Sequence, residues 1–318
     1  MSYVRGSGAR CQRRHRAGAP AIGLLAAALV LSACNAPAAT SSSKLRAVGA
    51  ENQYANVIAQ IGGRFVSVEA VVSNPNTDPH SFETSTSDAQ EIASAQLIVQ
   101  NGVGYDTFMQ QLESSAPSAS RRVIVVQKLL GLSSTTRNPH LWYNPKTMPA
   151  VATQVAKDLS SLAPKHAEYF AGRLKDFLAS LQPVESAIAR FKARFAGEAV
   201  ATTEPVADYL LAALGLDNVT PFRFQADIMN GVDPSPEDIA YQQGLLTSHR
   251  AKVFCFNAQV SSTVTVAMRS LAESSHVPVV AVYETMPTPG FDYQTWMLAE
   301  IAALTKALTT HVSTKELP

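Results

Sequence analysis

Residues 164–195 read PKHAEYFAGRLKDFLASLQPVESAIARFKARF. Apolar residues recur through this stretch at helical spacing: Phe170, Leu174, Phe177, Leu178, Leu181, Ile188 and Phe191. No glycine pair or turn cluster interrupts them. Pro164 suits a first-turn position, where a missing N–H costs nothing. Pro183 removes an interior hydrogen bond and predicts a bend near residues 179–182. A helix of about thirty residues is about 45 Å long. A rod of that length runs across a molecule more readily than it crosses over within one sheet.

The rod divides the chain. Before it, LRAVGA, FVSVEAVV, LIVQN and RVIVVQ are short, β-branched runs, and helical patterns cover 52–61, 86–95, 105–114 and 146–161. After it, AVATTE, KVFCF and VPVVAVY alternate with helical patterns over 205–214, 236–247, 262–274 and 293–308. Strands alternating with helices argue for βαβ units and parallel sheets. The predicted fold is therefore α/β: two parallel-sheet lobes, 45–163 and 197–318, joined by one long rigid helix over 164–196.

The remaining 44 residues lie outside that fold. Arg5, Arg10, Arg13, Arg14 and Arg16 precede the apolar run AIGLLAAALVL. The run is too short to span a membrane as a helix and suits an export signal over 1–33. The signal ends in LSAC, residues 31–34, which resembles the bacterial lipobox. That resemblance implies cleavage before Cys34 and lipid on its thiol. Residues 34–44 then form a small, polar tether. Cys11 falls in the removed segment and Cys255 in the apolar run KVFCF, where it reads as a buried strand thiol. No disulfide can form within the processed chain, so packing must hold it together. The 318 residues are 46% hydrophobic, enough for large cores. The net charge of +1 offers no basic footprint for nucleic acid.

Ligands of open α/β sheets bind beyond the carboxyl ends of the strands. NPNTDPHSFE follows FVSVEAVV and carries His80; NPHLWYNP follows RVIVVQ and a loop and carries His140. Glu204 follows AVAT, and Glu284 follows VPVVAVY. The first lobe thus offers two imidazoles and the second two carboxylates. Taken singly, each has an ordinary reading: a loop histidine at the surface, Glu204 capping the next helix, Glu284 in an exposed loop. The matched Pro–His turns favour ligands. Pro79 and Pro139 fix φ and restrict the residues before them, which preorganises both imidazoles. Asp78 and Asn138 read as turn formers that bond their own backbone. Glu83 and Asn144 are candidates for orienting the histidines. His166, His249, His276 and His311 fall outside the pattern.

The chain resembles the metal-specific solute-binding proteins of bacterial ABC transporters, the zinc- and manganese-binding cluster. The resemblance covers essentially the whole processed chain. It rests on the lipobox, DPHSFE, LIVQNGVGYDTFM, NPHLWYNPKTMPAVA, TTEPVADYLLAALGL and VPVVAVYETM. It implies one divalent metal, Mn²⁺ or Zn²⁺, in the interlobe cleft, held by His80, His140, Glu204 and Glu284. It also implies a non-enzymatic, monomeric extracytoplasmic receptor, anchored by lipid, that delivers the ion to the membrane subunit of an ABC permease. Three features depart from zinc-type members. Glu204 stands where many have histidine, Glu284 stands where aspartate is usual, and residues 110–137 contain no histidine.

Two imidazoles and two carboxylates give a net −2 site for a dication. Carboxylates that bind through both oxygens raise the coordination number and suit Mn²⁺, while the general affinity order favours Zn²⁺. A secreted metallohydrolase is the main alternative. It needs an open coordination position, and no His-Glu-x-x-His run is present. A surface adhesin with a structural metal is the other.

Overall fold

In the computed structural model the β-branched runs build two four-stranded sheets. The first contains β1 (Leu45–Glu51), β2 (Val66–Val72), β3 (Leu97–Gln100) and β4 (Arg122–Val125), in the order β2-β1-β3-β4. The second contains β5 (Ala199–Thr202), β6 (Asp217–Asn218), β7 (Val253–Asn257) and β8 (Val279–Val282), in the order β6-β5-β7-β8. Every pairing is parallel. The structure describes residues 44–74, 77, 82–287 and 289–318. The signal over 1–33, Cys34 and the tether up to residue 43 lie outside that set, as do Asp78, Pro79 and His80.

The helices of the first lobe are α1 (Asn52–Gly62), α2 (Thr86–Ser94), α3 (Thr107–Ser115), α4 (Val126–Leu129) and α5 (Thr147–Leu162). The linking segment holds α6 (Ala167–Ser180) and α7 (Gln182–Phe195). The second lobe adds α8 (Asp208–Ala213), α9 (Phe222–Met229), α10 (Pro236–Thr247), α11 (Thr263–Ser274) and α12 (Tyr293–Thr310). Three short elements have no counterpart in the sequence reading. β6 is a two-residue edge strand, too short to show a period. α9 spans only eight residues and starts directly after Pro221. The run RVIVVQ also divides, because the strand stops at Val125 and the fully buried Val126 opens α4.

The linking segment differs from one continuous rod. It breaks at Leu181, two residues before Pro183, and the halves pack separately. α6 lies on α5 and α1, whereas α7 lies on α12. The break is held on both sides. Gln294 of α12 donates to Ser180 Oγ (2.6 Å) and to Gln60 Oε1 of α1 (2.9 Å). Arg173 Nε of α6 donates to the Gln60 carbonyl (2.8 Å).

One apolar core runs through both sheets, from Ala47 and Leu97 through Trp142 and Phe177 to Phe254 and Trp296. A smaller core of Val48, Ile92, Ile98, Phe108 and Met109 lies on the other face of the first sheet. The shared core holds the carboxyl ends of the two sheets in fixed relation, and that is where the site forms.

Candidate metal centre

His140 precedes a 3₁₀ turn over Leu141–Tyr143 and is fully buried. Asn138 Oδ1 accepts from the His140 backbone N–H (2.9 Å), while Asn138 Nδ2 donates to the Pro205 carbonyl (2.7 Å). Those two contacts fix which end of the amide is oxygen. Asn138 Oδ1 also lies 2.7 Å from His140 Nδ1. An amide oxygen only accepts, so Nδ1 carries hydrogen and Nε2 becomes the ring's coordinating nitrogen.

That nitrogen faces Glu284. His140 Nε2 lies 2.9 Å from Glu284 Oε2, with both side chains fully buried. Tyr105 Oη donates to the same oxygen (2.9 Å). Asn257, the last residue of β7, ties the second lobe's acids together: its Nδ2 donates to Glu284 Oε1 (2.9 Å) and Glu204 Oε2 (3.1 Å). The Gln259 backbone N–H donates to Asn257 Oδ1 (3.0 Å), which settles that amide's orientation.

The backbone around Glu284 is gripped from both lobes. Asn52 at the start of α1 pairs with the Met286 backbone in both directions, at 2.8 and 2.9 Å. Tyr143 Oη accepts from the Tyr283 N–H (3.1 Å) and lies 2.6 Å from Glu300 Oε1. Trp296 Nε1 also donates to that oxygen (2.8 Å). Burial pushes the Glu300 carboxyl up to about 8, against the opposing effect of both hydrogen bonds.

Of the sequence-predicted candidates, the structure brings His140 and Glu284 into direct contact, and the buried Glu204 joins them through Asn257. His80, the fourth, lies outside the described residues. Among the described residues no three His, Cys, Asp or Glu side chains form a ready cation cluster, and no lysine or arginine pairs with these acids. Asn144 does not orient His140. Its Oδ1 accepts from the Lys146 N–H instead (3.1 Å), and Asn138 takes the expected role. Glu83 is exposed. Tyr105 and Asn257 go unnoticed in sequence, although Asn257 ends a strand, the position where ligands of such sheets gather.

Two parallel sheets whose carboxyl ends bring buried polar side chains together are the architecture of a two-lobed solute-binding protein. Comparison with known proteins narrows the class. The family described as the periplasmic component A of the zinc-uptake complex matches residues 48–307, and the chain belongs to it. A manganese ABC transporter substrate-binding lipoprotein of Streptococcus anginosus is 22% identical over 271 residues, 80% of this chain and 84% of that protein. The manganese-binding lipoprotein of Bacillus subtilis is 26% identical over 172 residues, 50% of this chain and 56% of its own length. Among solved structures, a crystal structure of ZnuA superposes with a TM-score of 0.66 at 17% identity, covering 84% of this chain and 99% of that one. The Mn-bound periplasmic metal-binding protein of Candidatus Liberibacter asiaticus gives 0.66 at 17% identity, covering 83% and 100%. At such identity the structural likeness establishes the fold.

Proposed function

We propose that this chain is an extracytoplasmic receptor that captures one Mn²⁺ or Zn²⁺ and hands it to an ABC permease. The reading rests above all on the His140–Glu284 contact. Asn138 fixes the hydrogen on Nδ1, so Nε2 presents its lone pair to a carboxylate oxygen 2.9 Å away. A nitrogen and an oxygen at that distance can serve one dication as neighbouring ligands. Imidazole nitrogen and carboxylate oxygen are suitable donors for both metals. The metal named for the curated relatives is manganese, and that of the family is zinc.

His80 completes the donor set in this reading, with Glu204 joining Glu284 through their shared Asn257. Four protein donors leave little room for a substrate, which argues against metallohydrolysis. The protein works as a monomer, held to the membrane by lipid on Cys34. The word "lipoprotein" in the relatives' names supports that anchor, and Cys34→Ala is expected to move the protein from the membrane to the soluble fraction. Metal-free protein titrated with Mn²⁺ and with Zn²⁺ should take up one equivalent of each in competition. No uptake of either ion would overturn the receptor reading.

A further inference from the structure

Glu51 is a second buried acid that the four-ligand set leaves unused. It is the last residue of β1 and is fully buried. Among the described residues neither of its carboxylate oxygens accepts a hydrogen bond. The ordinary explanation for an acid at this place is helix capping, since Glu51 is the N-cap of α1, but its side chain makes no capping bond. A carboxylate removed from water without hydrogen bonds or a cation is costly. Burial, then the Asp106 and Glu284 carboxylates, hold its carboxyl well above the usual range. The two residues that follow Glu51 touch the Glu284 loop directly: Asn52 bonds Met286, and Gln53 Nε2 donates to the Glu284 carbonyl (3.4 Å).

Topology gives a second, independent argument. The two sheets have the same winding, so β1 corresponds to β5, β3 to β7 and β4 to β8. Corresponding ends carry corresponding residues. Asn101 follows β3, and Asn257 ends β7. His140 is reached from β4, and Glu284 from β8. By the same rule Glu51 at the end of β1 is the counterpart of Glu204 just beyond β5.

We infer that Glu51 is part of the cargo site and supplies a further carboxylate to the captured dication. This deepens the receptor reading and rests on it. With Glu204 and Glu284 it brings three acids to the cleft, and carboxylate-rich sets suit Mn²⁺ more than they suit Zn²⁺. The isosteric change Glu51→Gln removes the charge and keeps the volume. It should weaken Mn²⁺ binding roughly 10- to 100-fold and Zn²⁺ binding less. The metal-free melting temperature should stay level or rise. Glu51→Asp, which keeps the charge, should stay closer to wild type. Calorimetric titration of the wild type and both variants with each metal reads this out. Equal affinities in wild type and Glu51→Gln, or loss of the metal-free fold in that variant, would overturn the assignment. A wild type that binds neither metal would instead sink the receptor reading itself, so the two failures stay distinct.

Discussion

The two lobes share a strand order but place their candidate donors differently. In the second lobe the donors sit at or just past strand ends. Thr202 ends β5 and Glu204 lies two residues on; Val282 ends β8 and Glu284 lies two residues on. Asn257 on the neighbouring strand then holds both carboxylates. In the first lobe His140 is reached from β4 only after α4 and an extended loop. Its orientation depends on a local clamp, Asn138, which is itself tied across the cleft to the Pro205 carbonyl. Hydrogen bonding within a sheet fixes strand ends, whereas loops move more freely. In the proposed site the carboxylate half is therefore the more rigid wall, and the imidazole half is carried by a loop.

The severest way to break this contrast is to remove the loop-borne donor. A ligand that binds only the folded state stabilises it by about 4 kcal/mol at a thousandfold excess over its dissociation constant. His140→Ala should abolish most of the metal-dependent rise in melting temperature. The same rise in variant and wild type would show that His140 is no ligand.

A finer test compares the two asparagines. Asn257 holds two acids on the rigid side, and Asn138 holds one imidazole on the loop side. Orienting partners of this kind contribute roughly 10- to 100-fold to metal affinity. Both Asn257→Ala and Asn138→Ala should fall in that range, with Asn257→Ala the more damaging. The reverse order, measured by competition titration, would place the rigid wall on the wrong side.

Glu300 probes the wall from behind, because it supports Tyr143 and through it the Glu284 loop. Its folded carboxyl titrates at about 8, above an unfolded value near ~4.3. The stability carried by its neutral form is complete below the unfolded value. It is lost as pH rises through the folded one, with a slope of at most roughly 1.4 kcal/mol per pH unit. Glu300→Gln should flatten the decline of stability between pH 5 and 8. Denaturant titrations across that window check it, and an unchanged slope would mean that Glu300 is already ionised in the fold.

The smallest expected effect concerns metal preference. Glu204→His replaces an oxygen donor of the rigid wall with nitrogen, which should raise the Zn²⁺/Mn²⁺ affinity ratio. A ratio that does not move would show that selectivity resides elsewhere, with Glu51 the next candidate.

The architecture was legible in the sequence because it rests on local signals. β-branched runs, helical periodicity and the position of Pro183 act over a few residues, and together they predict two α/β lobes with a bend in the segment between them. Three candidate site residues were legible for a related reason: His140, Glu204 and Glu284 each follow a recognisable strand. What tertiary structure alone decided is pairing across sequence distance. Nothing in NPHLWYNP says that Asn138 rather than Asn144 orients the ring, since both lie close to His140 and only the fold brings Pro205 within reach of one. Nothing in KVFCFN says that Asn257 will meet two acids, one of them 53 residues before it and the other 27 after. LRAVGAEN reads as a strand running into an ordinary helix cap, and only burial without a partner separates Glu51 from that role. The linking segment divides on the same principle. Local sequence predicts a helix with a bend, but whether its halves form one strut or join separate lobes depends on packing against α5 and α12, surfaces built elsewhere in the chain.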